Sequence, residues 1–217
     1  MPNTLFSLPQ AASDHPERVV PAAPGERSPR FSYFTGGIRS ILPHAAISPG
    51  QLYQLLVSPR FQARTEALRA AGRGSPAYTR LKSSLDYVTP AGTFTRRHNH
   101  GLQQPSGLLV LDFDKLPDVS AARQTLLNDP HLGPAIVLLF TSPSGDGLKC
   151  LLPTNPHASY RDSWHTLEAY LRHHYSTLGL TPDPAGKDVA RACFVAHDPD
   201  AYLHPNFHHF SPVPPIS

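Results

Sequence analysis

The residues best suited to chemistry are two aspartates at the end of the run Gly107-Leu108-Leu109-Val110-Leu111-Asp112-Phe113-Asp114-Lys115. Leu108 to Leu111 is too short for a helix and aliphatic enough for a strand buried on both faces. Side chains alternate along a strand, so Asp112 and Asp114 project from one face. Two carboxylates at this spacing suit one shared divalent cation, Mg²⁺ or Mn²⁺ rather than Zn²⁺, because their ligands are hard oxygens. The plainer alternative is a solvated loop start or a helix cap.

Two further clusters carry complementary groups. Thr141-Ser142-Pro143-Ser144-Gly145-Asp146-Gly147-Leu148-Lys149 offers glycines that tolerate positive φ, hydroxyls at Ser142 and Ser144, and backbone N–H groups, all of which suit an anion. Lys149 adds a cation at the start of the next strand. The same letters also fit an ordinary hairpin loop, and they lack Walker spacing. The segment Asp183-Pro184-Ala185-Gly186-Lys187-Asp188-Val189-Ala190-Arg191 supplies one or two more carboxylates and an arginine. Arg96 and Arg97, beside the turn at Gly92, are guanidinium forks of the kind that bind phosphate. The tripeptide His98-Asn99-His100 matches a nuclease signature by letters only.

The elements that must position these groups follow from patterning. Residues 1–30 read as a flexible leader with no apolar period. Phe31 to Phe34 reads as a strand, and Ser48-Pro49, Ser58-Pro59 and Ser75-Pro76 predict serine-capped helices near 49–57, 59–71 and 76–84. Arg60, Arg64, Arg69 and Arg73 on the second of these read as a solvated face. Short strand-like pieces occupy 85–97. From 108 onward the order is strand 108–113, helix 119–128, strand 135–141, strand 147–152, helix 159–178 and strand 190–196. That order is βαββαβ, and the expected class is α+β: an RRM/ferredoxin-like core over 106–206, preceded by a helical and short-strand subdomain over 31–105 and followed by a tail, 207–217. Such a core is expected to be one four-stranded antiparallel sheet, helices on one face and the other face free for a site.

A chain of 217 residues with net charge +3 and pI near 9.0 allows one domain and a polyanionic partner. Cys150 and Cys193 have no CxxC spacing and read as buried free thiols. No apolar run approaches the roughly 20 residues of a membrane span, and the N-terminus lacks a signal-peptide core, so a soluble, cytoplasmic protein without a membrane partner is expected. His208 and His209 in the tail read as solvated.

Strand-Asp-x-Asp, then Ser-Pro-Ser-Gly-x-Gly-x-Lys, then Asp…Lys-Asp-x-x-Arg-x-x-Phe and Asp198-Pro199-x-x-Tyr202, together resemble the N-terminal domain of the BT4734-like or VirE-type proteins of bacterial mobile elements. The resemblance runs from about Arg64 to Asn206 and takes in Lys82, Gly92-Thr93-Phe94 and Ser106-Gly107. It implies a divergent branch of the archaeo-eukaryotic primase and primase-polymerase superfamily, with that fold. It further implies that Asp112 and Asp114 hold catalytic metals, with Asp183 or Asp188 as a third acidic ligand. Lys149 stands where the superfamily commonly has a phosphate-contacting histidine, and Arg191, Ser142, Ser144, Gly145, Gly147, Arg96 and Arg97 complete the phosphate-binding set.

The expected function is therefore a metal-dependent nucleotidyltransferase acting with nucleoside triphosphates on a single-stranded DNA or RNA template, in replication of a mobile element. No helicase-like P-loop and no cysteine-rich zinc module is present, so the partner domains common in such relatives are expected to be missing or supplied by another polypeptide, a helicase or replication protein. Asp112→Ala is expected to abolish synthesis while leaving folding intact. One rival is a catalytically inactive nucleic-acid-binding replication accessory module. Another is a phosphatase of the haloacid-dehalogenase kind, which also uses Asp-x-Asp but expects Thr or Val where Lys115 stands.

Overall fold

The computed structural model describes residues 28–208 and 211–215, so the expected leader lies almost wholly outside the described residues, as does His209. Strands β1 (Phe31–Phe34) and β2 (Ala45–Ile47) precede helices α1 (Pro49–Val57), α2 (Gln62–Ala70) and α3 (Pro76–Ser83). Ser-Pro capping operates at two of its three sites. Ser48 accepts from the Gln51 N–H in a reciprocal capping box, and Ser75 accepts from the Tyr78 N–H. Ser58 behaves otherwise: its hydroxyl donates to the Leu55 carbonyl at 3.0 Å, closing α1, and Pro59–Phe61 forms a 3-10 turn ahead of α2.

Strands β3 (Tyr87–Thr89), β4 (Gly92–Phe94) and β5 (Leu102–Pro105) follow, the last two forming a separate ribbon. Next come β6 (Leu108–Phe113), α4 (Val119–Asn128), β7 (Leu138–Thr141), β8 (Leu148–Pro153) and α5 (Tyr160–Tyr175), in the expected order. Two short strands, β9 (Cys193–Phe194) and β10 (Tyr202–Leu203), complete the set. The fold is α+β, with two four-stranded antiparallel sheets ordered β2-β1-β3-β9 and β10-β7-β8-β6.

Two expectations are corrected here. The last strand of the βαββαβ series does not join the others in one four-stranded sheet; it pairs with Tyr87 and Val88 of β3 in the other sheet, and β10 takes the fourth place beside β7. The outer edge of β6 is already covered. The Asp183 N–H donates to the Asp112 carbonyl at 2.8 Å, and the 3-10 turn Pro184–Lys187 packs there so closely that a Cβ on Gly186 would lie 2.7 Å from Trp164 Nε1 and 3.1 Å from the Val110 carbonyl. Nor does the β6-β8-β7 sheet leave a face free. Leu109, Leu111 and Phe113 pack with Ala122 and Leu126 of α4 and Trp164 and Leu171 of α5. Leu108 and Val110, on the opposite face, pack with Phe31, Tyr33, Leu52, Val88 and Cys193. Period-two alternation places Asp112 on this second face, where the two sheets meet. Among the described residues no helix is long and apolar enough to cross a membrane.

Candidate active site

Asp112 sits directly opposite Lys149 in the β6–β8 register, so both side chains emerge on one face of the sheet. The Lys149 ammonium lies 2.6 Å from Asp112 Oδ2, and the two side chains are only 6% and 8% exposed. Arg191 Nη2 stands 3.4 Å from the same oxygen and 2.5 Å from Asp183 Oδ2. Burial alone would raise the Asp112 carboxyl, but the Lys149 ammonium and then the Arg191 guanidinium hold it below the usual carboxylate range. Burial pulls the Lys149 ammonium down, and Asp112 more than offsets it, leaving the group raised. Beside them Cys193 is free and buried, its thiol pushed up to about 11 by burial; Cys150 is also free and buried, as expected.

Asp114, one residue past the strand, lines the same cleft of about 60 Å³ with Asp112, Ser142, Lys149, Arg191 and Lys82. There the chain turns sharply, Lys115 taking φ +55°, and the Leu116 N–H donates to the Asp146 carbonyl at 2.8 Å. The strand end is thereby fastened to the 141–147 loop. Gly147 is required by close approach: a Cβ there would stand 2.2 Å from the Phe113 carbonyl oxygen.

The loop folds as a closed hairpin, the Ser142 N–H donating to the Gly147 carbonyl and the Gly145 N–H to the Ser142 carbonyl. Ser142 and Lys149 reach the cleft. Ser144 instead contacts Ser142 Oγ and Arg73, and Gly145, at φ +83°, lies against the Arg69 side chain.

Of the two later acids, Asp183 is the one tied to Asp112, through Arg191 and through its own N–H. Asp188 accepts the Arg191 N–H on its carbonyl and lines a second pocket, of about 500 Å³, with Arg97, Asn99 and Arg191. Arg97 donates to the Ile38 carbonyl at 3.0 Å and lies 5.1 Å from the Tyr87 ring centroid. Arg96 is exposed. Neither arginine lines the cleft of Asp112.

The donor set fits a divalent cation in one way only. Asp112 Oδ1 is buried and has no hydrogen-bond partner, and Asp114 shares its cleft. Among the described residues, however, no group of three or more His, Cys, Asp or Glu side chains gathers to hold an ion. Mg²⁺ is commonly held by one or two carboxylates with water and substrate phosphates completing the shell, and that arrangement fits here; an all-protein cage does not.

Sequence reasoning passed over three groups. Asp198 Oδ2 accepts from the Thr141 N–H at 2.6 Å and from Arg123 at 2.8 Å, anchoring the start of the loop. Burial would raise its carboxyl, yet the Thr141 N–H and Arg123 hold it low. Its signal is the Asp-Pro-x-x-Tyr motif, which by itself assigns no role. Lys82, part of the resemblance, lines the cleft with Asp112 and Asp114. Arg73, read as solvated, bridges Asp114, Asp146 and Ser144, a role that no local pattern marks.

Fold and cleft together define an α+β protein in which two antiparallel sheets meet at a site of interleaved carboxylates and cations. The family model for the BT4734-like, N-terminal domain matches residues 80–203, more than half of the chain, and the chain belongs to that family. The matched stretch contains every cleft residue named above and leaves out Arg69 and Arg73. No curated protein and no solved structure matches the chain.

Proposed function

We propose that the cleft is the catalytic centre of a metal-dependent nucleotidyltransferase of primase-polymerase type, which joins nucleotides from nucleoside triphosphates on a single-stranded template. The observation that carries this reading is convergence: Asp112 and Asp114 share one cleft with Lys149, Arg191 and Lys82, with Asp183 joined through Arg191. Asp112 Oδ1 and Asp114 would hold Mg²⁺ or Mn²⁺. Bound there, the ion supplies charge neutralisation on the polyphosphate and a more acidic attacking hydroxyl. Lys149 is buried with its ammonium on Asp112 and acts by keeping that carboxylate ionised, so Lys82 and Arg191, which stays 31% exposed despite its pairs with Asp183 and Asp112, are the cations that would meet phosphate. The cleft is small, but Arg191, Ala192 and Phe194 also wall the roughly 500 Å³ pocket beyond it, which offers room for a sugar and base. The primase-polymerase fold, replication of a mobile element in the cytoplasm, and a helicase on another polypeptide belong to the same proposal through the resemblance.

A second reading, a strand-binding accessory module without turnover, draws on a specific observation: two cations already close Asp112 Oδ2. One assay separates the two. Primer extension and primer synthesis on single-stranded DNA and RNA, with Mg²⁺ and with Mn²⁺, should give templated products with the parent protein and none with Asp112→Asn. Incorporation by the variant at the parental rate refutes the assignment. Salt-sensitive strand binding without incorporation under either metal favours the accessory module.

A further inference from the structure

The corner between α2 and α3 lies outside the stretch matched by the family model, yet it reaches into the site. Arg73 sits there between Gly72 and Gly74, which have φ of +73° and +88° and open space where a Cβ would stand. Its Nη2 lies 3.6 Å from Asp114 Oδ1 and 3.2 Å from Asp146 Oδ1, and it donates to Ser144 Oγ at 3.2 Å. These three contacts run through one terminal nitrogen of a group that carries five N–H donors, and the Tyr78 hydroxyl is a further neighbour of the guanidinium.

We propose that Arg73 is an exchangeable guanidinium. In the free protein it neutralises Asp114 and Asp146; when a divalent cation takes Asp114, it turns to the phosphate oxygens of the nucleotide. The nucleotide arm of this inference rests on the proposed function. Three features support the exchange. The Arg73 and Asp114 side chains are 34% and 45% exposed, and pairs of that kind are weak enough to be displaced. A divalent cation on Asp114 would compete with Arg73 for the charge of one carboxylate and would repel the guanidinium across 3.6 Å, which favours its release. The released fork stays beside the Ser142–Gly147 loop, tethered by a glycine on either side, where polyphosphate charge would attract it.

The test is equilibrium binding of Mn²⁺ alone, then of a non-hydrolysable nucleoside triphosphate in saturating Mn²⁺. Arg73→Ala is expected to bind Mn²⁺ about two- to fivefold more tightly, because Asp114 is released. The same variant should bind the nucleotide about tenfold more weakly, because a charge-assisted hydrogen bond is lost. Arg73→Lys should fall between variant and parent on both measures. Arg80→Ala, an exposed charge on α3, should leave both unchanged. A merely structural role for Arg73 predicts no gain in Mn²⁺ affinity, so unchanged or weaker Mn²⁺ binding overturns the proposal. Unchanged nucleotide affinity, or an equal change in Arg80→Ala, overturns it as well. Absence of templated incorporation by the parent would sink the proposed function while leaving the Mn²⁺ arm of this test intact.

Discussion

Asp112 and Asp114 are separated by one residue, yet Asp112 is 8% exposed and held by Lys149 and Arg191, whereas Asp114 is 45% exposed and faces Arg73 across 3.6 Å. The difference follows from where β6 ends. Asp112 is the last residue of the strand on the face that packs against the other sheet, so its charge is desolvated and must be paired. Asp114 has left the ladder, and water shares its neutralisation. The inner acid is therefore part of the buried packing between the sheets, and the outer one is held only by a partly solvated pair.

The largest expected effect tests the inner half of that contrast. Asp112→Ala strands the Lys149 ammonium in the interior, and breaking a buried pair on one side costs about 3–5 kcal/mol. Where folding was expected to stay intact, the buried pair predicts a loss of stability beside the loss of the proposed synthesis. Asp112→Asn retains the shape and an acceptor and should lose less, which makes it the cleaner probe of chemistry. Asp114→Ala should stay within about 1 kcal/mol of the parent. Chemical denaturation reads all three, and equal losses for the two alanine variants would erase the contrast.

The pH profile of unfolding gives an intermediate effect. Asp112 and Asp198 titrate below their ordinary value of about 3.9 in the folded chain, so their contribution is complete above that value and disappears as pH falls through the folded pKa. Lys149 is shifted upward. Its contribution is complete below the ordinary lysine value of about 10.4 and fades as pH rises through the folded pKa. These three groups alone leave the denaturation midpoint level between these limits and lower it outside both, with a shallower acid limb in Asp112→Asn. His204, held low by burial, adds a loss as pH falls below the ordinary imidazole value of about 6.5, and the thiols of Cys150 and Cys193, pushed up by burial, start the alkaline loss from about 8.5. An unchanged acid limb in that variant would mean that Asp112 is not ionised by its neighbours.

What could be read from the chain, and what could not, divides along the same physical line. Asp112 and Lys149 were legible because each sits at one end of a short apolar run whose type is set locally, and strand alternation fixes its face. Arg191 was legible through the family motif, and the choice of Asp183 over Asp188 was not, because it depends on the pairing of Asp183 with Arg191 and with the edge of β6. Helices α1 and α3 were legible through Ser48 and Ser75, whose caps are local hydrogen bonds. The placement of β9 was not, because two residues carry no period and their partners in β3 are decided by what already covers the edge of β6. Asp198 escaped because its partner Thr141 is 57 residues away. Arg73 escaped because a basic residue at an exposed helix corner has the same local signature whether it is solvated or bridges two acids.

The smallest effect tests the outer half directly. A double-mutant cycle on Arg73→Ala and Asp114→Ala, followed by chemical denaturation without added metal, should give a coupling of about 0.2–1 kcal/mol, because both groups are partly solvated. Raising the salt concentration should reduce that coupling, since the Debye length falls from about 10 Å at 0.1 M to about 3 Å at 1 M. The Lys149–Asp112 pair, shielded from ions by the two sheets, should show no comparable salt dependence. A coupling above about 2 kcal/mol, or one indifferent to salt, would mean that Asp114 is held as firmly as Asp112 and that Arg73 does not exchange.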